Sequence, residues 1–200
     1  MKSIFLLTSA LATATLFAAD SGELKKAPEL AFTLPGQGPK LLSQYRGKVV
    51  ALEFILTTCP HCQAAAKVMT KYQQELGGRG LQVIDLAINA LDDGNSEATA
   101  TSMVTLFAMN FQVGFPVGYI PRDSMMAFMG YSIMDRMVVP QLVLIDRKGF
   151  IHYRTPAGSG PDWEKVMNET TLHEHIEELL ALNSPPSHAS KAVHIASASK

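Results

Sequence analysis

Apolar positions fall into two kinds of pattern along this chain. Lys48 to Leu56 (KVVALEFIL) and Leu81 to Asn89 (LQVIDLAIN) are near-continuous apolar runs, the first interrupted by one acid. Runs of that kind suit strands covered on both faces, at the centre of a sheet. Between them Ala64, Ala65, Val68, Met69, Tyr72 and Leu76 recur at intervals of three and four, while Lys67, Lys71 and Glu75 take another face. The spacing predicts an amphipathic helix over 60–76, stopped by Gly77-Gly78. Upstream, Glu29 to Leu34 reads as a short strand ended by the turn residues Pro35 to Pro39. Downstream, Asp92 to Ser96 makes a turn and a cap for a helix over 97–109, followed by a short extended piece at 115–118 and a short helix over 123–131. Gln141 to Asp146 and Phe150 to Arg154 flank Arg147-Lys148-Gly149 and predict a hairpin. Trp163 to Leu182 carries a helical pattern that Asn168 to Thr171 can break in two. Strands alternating with helices and then a hairpin place the chain in the α/β class.

The two ends stand apart from this pattern. Met1-Lys2 is a short basic start, followed by the apolar stretch Ile4 to Phe17 and then Ala18-Ala19-Asp20. This is a secretory signal pattern, and its apolar stretch falls short of the roughly 20 residues a membrane-spanning helix needs. The reading is a signal peptide over 1–19 and an exported, periplasmic or extracytoplasmic protein; left uncleaved, the segment would tether the protein to the membrane. No cysteine lies near it to carry a lipid. Beyond Asn183, the Ser/Pro stretch and the Ser, Ala, His and Lys mixture up to Lys200 lack an apolar period and predict a disordered tail over 184–200. One domain is left, over 20–183.

Composition agrees with a packed core. Of the 200 residues, 47% are apolar and 18% charged, which excludes a disordered chain. The formal charge of −1 gives no electrostatic reason to expect a nucleic acid as partner. The two cysteines, Cys59 and Cys62, cannot build a multi-bridge scaffold.

Those two cysteines instead carry the chemistry. Cys59-Pro60-His61-Cys62 stands where the first central strand ends and the first long helix begins. A helix N-terminus offers unpaired N–H groups and about half a positive charge, both of which favour a thiolate over a thiol. Cys59 at the cap is the attacking thiol; Cys62, one turn later on the same face, is the shielded, resolving one. Pro60 suits the first helical turn, and His61 puts a titratable imidazole beside Cys59. The competing readings are an inert disulfide, half a zinc site and two buried thiols. Zinc normally takes four ligands, and the chain has no second cysteine pair; His173 and His175 point to different faces of their helix.

Ala27-Pro28 to Leu34, Gln44 to Val50, Glu53-Phe54 leading to Cys59-Pro60-His61-Cys62, and Val139-Pro140 before Leu142 to Gly149 resemble the TlpA/ResA-like branch of the thioredoxin superfamily, in the AhpC/TSA–Redoxin group. The resemblance implies a thioredoxin-like fold, a mixed central sheet flanked by helices, with an N-terminal hairpin and a helix-strand insertion over 91–120. It implies thiol-disulfide exchange with protein thiols and disulfides, together with a redox partner protein and no cofactor. By the same resemblance, Pro140 corresponds to a cis-proline facing the redox pair, and Val139 to the residue whose backbone contacts a bound substrate strand. Glu53, six residues before Cys59, matches the buried acid that many thioredoxins carry beneath the disulfide. Burial of its carboxyl would raise its pKa and let it relay the proton of Cys62; a neighbouring lysine or solvent at the sheet end could satisfy it instead. His61 departs from the second proline common in the branch and makes the pair resemble the oxidant DsbA, so the direction of exchange stays open.

Two other functions compete. A peroxiredoxin-like peroxidase would need a threonine three residues before its reactive cysteine, where Leu56 stands, with Thr57 and Thr58 closer in. A periplasmic copper or haem-pathway binding protein would use Cys59, Cys62 and methionines. Seven of the ten methionines fall between Met103 and Met137, where they could also fill the core or form a groove for apolar peptides.

Overall fold

The two acid-interrupted apolar runs form the middle of the sheet. In a computed structural model that describes residues 24–182, they are β4 (Val49–Ile55) and β5 (Leu81–Ala87), paired in parallel. The signal peptide expected over 1–19 and the tail expected over 184–200 lie outside the described residues. Both strands are buried nearly throughout, as expected for strands covered on two faces. They are joined through α1 (Pro60–Leu76), which spans the predicted residues. It ends before Gly77 as expected; Gly77 itself keeps helical angles, the chain tightens into a 3₁₀ turn over Gly77–Arg79, and the left-handed residue is Gly80, at φ 107°. The Arg147 guanidinium lies against Gly80 and donates to the carbonyls of Gly47 and Arg79, tying this corner to the β-hairpin turn.

The remaining strands complete an eight-stranded mixed sheet. β7 (Gln141–Ile145) pairs antiparallel with β4, β8 (Phe150–Arg154) with β7, and the short β1 (Lys25–Lys26) with β8. On the other side β6 (Val117–Tyr119) adds in parallel to β5, and β2 (Ala31–Leu34) pairs with both β6 and β3 (Gly38–Leu41). The order is β1-β8-β7-β4-β5-β6-β2-β3. β2 and β3 form the N-terminal hairpin; β3 carries Pro39 and sits at the sheet edge, where a missing N–H is tolerated. Gly118 lets β6 approach β2, because a Cβ there would collide with the Thr33 carbonyl.

The helices divide unequally between the two faces. One face packs α1, α2 (Glu97–Asn110) and α5 (Glu169–Ala181) over Val49, Ala51, Ile55, Val83 and Leu144. The other packs α3 (Arg122–Met129) and the turn carrying Leu42 over Val50, Leu52, Phe54, Ile84 and Val143. Alternation along each strand therefore sends odd-numbered residues of β4 and β5 to the face of α1. Ser96 caps α2 by accepting from the Thr99 N–H, and α2 with β6 forms the insertion expected over 91–120. The predicted C-terminal helix is two helices. α4 (Pro161–Met167) ends at Asn168, whose side chain accepts from the N–H groups of Thr170 and Thr171 and starts α5.

Candidate active site

β4 ends at Ile55, and the chain turns through Leu56 to Thr58 before α1 begins. The turn is fastened from β5's end. The Asn89 side chain accepts from the Thr57 N–H at 3.2 Å and donates to the Thr57 hydroxyl at 3.1 Å. Gln63, in the first turn of α1, donates to the Thr57 carbonyl at 3.3 Å. Cys59 is thereby set at the N-cap of α1, with extended φ/ψ of −82° and 122°, and Pro60 occupies the first helical position. Cys59 is half-buried, while Cys62 is fully buried in the core beneath it. Burial pushes the Cys62 thiol up; a hydrogen bond from the Leu56 backbone opposes this, and the neighbouring Cys59 and Glu53 reinforce it. Both cysteines are free thiols in this structure. His61 is exposed and lines a groove with Val68, Pro140, Trp163 and Met167.

The second half of the site comes from the segment before β7. The Val139–Pro140 bond is cis, and the Val139 carbonyl oxygen lies 4.0 Å from the Cys59 sulfur. Pro140 is buried, and its carbonyl accepts from the Trp163 indole N–H at 3.2 Å. Below it, the fully buried Gln141 holds the loop from inside. Its amide donates to the carbonyls of Val138, Pro156 and Ala157 at 2.7, 3.1 and 3.2 Å. Its oxygen accepts from the Tyr131 hydroxyl at 2.6 Å and the Thr155 hydroxyl at 2.7 Å. An amide is suited to this place because it offers donors on one side and an acceptor on the other.

Glu53 is fully buried on the α1 face of β4. Neither a lysine nor solvent satisfies it, contrary to the alternatives read from the sequence. Its register partner is Asp85 on β5, equally buried, and the carboxyl oxygens of both acids lack a hydrogen bond from any other side chain or backbone group. Desolvation raises Glu53 to about 7, with a hydrogen bond from Asp85 pulling the other way; desolvation and the Glu53 charge raise Asp85 well above the ordinary carboxylate range.

The structure thus brings Cys59, Pro60, His61, Cys62, Glu53, Val139 and Pro140 to one end of the sheet. Sequence reasoning missed Asp85, Asn89, Gln63, Gln141, Tyr131, Thr155 and Trp163. Asp85 had a signal, since its strand, like that of Glu53, is an apolar run broken by a single acid. The methionines divide: Met125 and Met129 are core, whereas Met109 and Met134 are 69% and 84% exposed. Among the described residues no group of three or more His, Cys, Asp and Glu side chains is placed to hold a metal.

Solved structures share this fold. A protein of Chlorobium tepidum assigned as the thiol:disulfide interchange protein DsbE matches with a TM-score of 0.58 and 26% identity, covering 78% of this chain and 96% of that one. A protein of Bacteroides thetaiotaomicron assigned as a protein disulfide isomerase matches at 0.56 and 25%, over 78% and 88%. A second Chlorobium tepidum thiol:disulfide interchange protein, of the thioredoxin family, shares the fold at 0.59 and 18%, over 78% and 97%. No curated protein sequence matches the chain. The fold is thioredoxin-like, as the resemblance implied, and the match of the AhpC/TSA family over residues 24–154, from β1 through both halves of the site to the end of β8, shows that this chain belongs to that family.

Proposed function

We propose that the chain is an exported thiol-disulfide oxidoreductase that exchanges disulfides with protein substrates through Cys59 and Cys62. The observation that carries this is the pairing of a half-buried Cys59 at a helix N-cap with a fully buried Cys62 one turn below. The Cys59 sulfur attacks a substrate disulfide, whose S–S bond breaks as the mixed disulfide forms and one substrate sulfur leaves. Cys62 then gives up its proton and attacks the Cys59 sulfur. The Cys59–Cys62 bond forms, and the second substrate sulfur departs as a thiolate. Two electrons pass to the substrate, and the reverse sequence delivers a disulfide.

Glu53 receives the Cys62 proton in this scheme. Its carboxyl is buried under the pair and ionises near neutrality, which matches a proton acceptor's needs at working pH. Val139 supplies backbone for an extended substrate: its carbonyl faces Cys59, and its N–H has no backbone partner among the described residues. The names of the Chlorobium tepidum and Bacteroides thetaiotaomicron proteins support the same activity. Leu56, in place of a threonine, weighs against a peroxidase.

The test is a Cys62→Ser trap expressed with the native leader. Mixed disulfides through Cys59 with extracytoplasmic proteins are expected, absent in Cys59→Ser; their absence from both variants would reject the reading. The mature protein recovered outside the cytoplasm should begin at Ala19 or Asp20, which N-terminal sequencing reads directly. Equilibration of the pair with glutathione assigns the direction: a potential near that of thioredoxin marks a reductant, and one near that of DsbA an oxidant.

A further inference from the structure

Glu53 and Asp85 are the only acids in the two central strands, and they are opposite each other in the β4–β5 register. Both have odd parity, so both carboxyls stand on the face covered by α1, α2 and α5. Both are fully buried, and all four oxygens lack any donor from outside the pair. Among the described residues no lysine, arginine or histidine is fully buried, and no basic side chain acts on the charge of either acid. In the same packed layer lie Cys59 and Cys62 of the redox pair, Tyr72 of α1, Tyr119 of β6 and Tyr153 of β8, and from α5 the rings of His173 and His175 lie against Tyr72 and Tyr153. The Tyr72 hydroxyl is committed to the Glu169 carbonyl and that of Tyr153 to Glu178.

Two carboxyls in that setting cannot both ionise. A lone buried carboxylate loses its hydration without compensation, and a second beside it adds repulsion. One proton between them removes the second charge and gives the first a charge-assisted hydrogen bond.

We propose that Asp85 is a positioning residue for thiol-disulfide exchange: it keeps its proton at neutral pH and donates a hydrogen bond to Glu53, so that Glu53 can ionise under the redox pair and take up the Cys62 proton. The inference rests on the exchange reading above and adds the group that sets its proton acceptor. In the resolving step the proton leaves the Cys62 sulfur for the Glu53 carboxylate, the Cys59–substrate S–S bond breaks, and the Cys59–Cys62 bond forms. Glu53 afterwards releases the proton to the departing thiolate or to solvent. Asp85 keeps its own proton throughout. The opposing directions at the two acids agree with this division of roles, the hydrogen bond lowering Glu53 and raising Asp85.

The test is a titration of the reduced protein by carboxyl carbon NMR, with the pH profile of the resolving step measured alongside. Wild type should show two carboxyl transitions, Glu53 the lower, with Asp85 still protonated where Glu53 has ionised. Asp85→Asn keeps an N–H donor and should hold the Glu53 midpoint, whereas Asp85→Leu removes it and should move that midpoint up by about one unit or more. The midpoint of the resolving rate should follow the carboxyl in both variants. An Asp85 that titrates at about 4, like an exposed carboxyl, overturns the proposal in wild type alone, whether or not a variant folds. So does a Glu53 midpoint common to wild type, Asp85→Asn and Asp85→Leu. The titration needs no turnover, so a shared proton in a protein without exchange activity would reject the functional reading and leave the pair standing.

Discussion

The Val139 carbonyl oxygen and the Cys59 sulfur meet at 4.0 Å across eighty residues of sequence. Neither end of this contact is held by its own segment alone. Cys59 is placed by the cap of α1 and by the turn fastened to Asn89; Val139 is placed by the hydrogen bonds that Gln141 makes beneath it. The separation of reactive sulfur and substrate-facing backbone therefore depends on two buried or half-buried amides that touch neither.

Gln141→Leu keeps the volume but removes every one of those bonds. The carbonyls of Val138, Pro156 and Ala157 lose a donor, and the hydroxyls of Tyr131 and Thr155 lose an acceptor. The Ala157 carbonyl keeps the Val138 N–H and the Tyr131 hydroxyl keeps the Thr155 carbonyl, so the loss falls mainly on the Val138 carbonyl and on the packing of the loop, at about 1–3 kcal/mol. The unfolding free energy should fall by that amount, read as a lower urea midpoint at unchanged slope, and exchange with a model disulfide should slow more than Cys59 alkylation does. Equal stability and rate in the variant would show that the loop is held by other contacts.

Asn89→Ala tests the other end. It removes both bonds to Thr57, so the turn before Cys59 loses its tie to the strand next door. A loss of about 1–2 kcal/mol is expected in chemical denaturation. The exchange rate should drop in Asn89→Ala, and Asn89→Asp should restore it in part, since a carboxylate can still accept from the Thr57 N–H.

The unequal burial of the two thiols predicts an ordered alkylation. In the reduced protein, iodoacetamide should add once, at Cys59, and reach Cys62 only after unfolding, because Cys62 is fully buried and its thiol is pushed up by that burial. Peptide mass spectrometry after brief labelling at pH 8 reads the order. Two adducts forming at comparable rates in folded protein would remove the distinction between attacking and resolving sulfur.

What the sequence made legible, and what it hid, divides by the range of the interaction. The helix over 60–76 and the strands at 81 and 150 were readable because their period and propensity are local, as was the Cys-Pro-His-Cys junction between a strand and a helix. The edge strand Gly38–Leu41 was hidden by Gly38 and Pro39, which look like turn residues until a neighbouring strand supplies their pairing. α1 stops before Gly77 as read, but the left-handed residue that turns the corner is Gly80, which Arg147, nearly seventy residues away, fixes in place. Glu53 and Asp85 each stood out as the lone acid of an apolar run; their pairing did not, because only the register of β4 on β5 puts Asp85 beside Glu53. Gln141 was hidden for the same reason: it reads as the polar start of a strand, and its five partners come from three separate segments.

The buried Glu53 also makes stability depend on pH with a defined sign. Its carboxyl has a pKa of about 7 in the folded protein against an ordinary value of 4.5, with desolvation as the main cause. Between those two values the folded state holds the proton that the unfolded chain has lost, so folding stability falls as pH rises. The contribution is complete below about 4.5 and gone above about 7, with a slope approaching about 1.4 kcal/mol per pH unit for one proton. Glu53→Gln removes one of the two raised carboxyls and should make the curve less steep across this window, Asp85 keeping its own contribution, so that the variant gains on the wild type as pH rises toward 8. Urea denaturation from pH 4.5 to 8 measures the difference. Parallel curves for the two proteins would mean that Glu53 ionises in the fold as easily as it does in water, and a carboxyl that does so cannot be dry beneath Cys62.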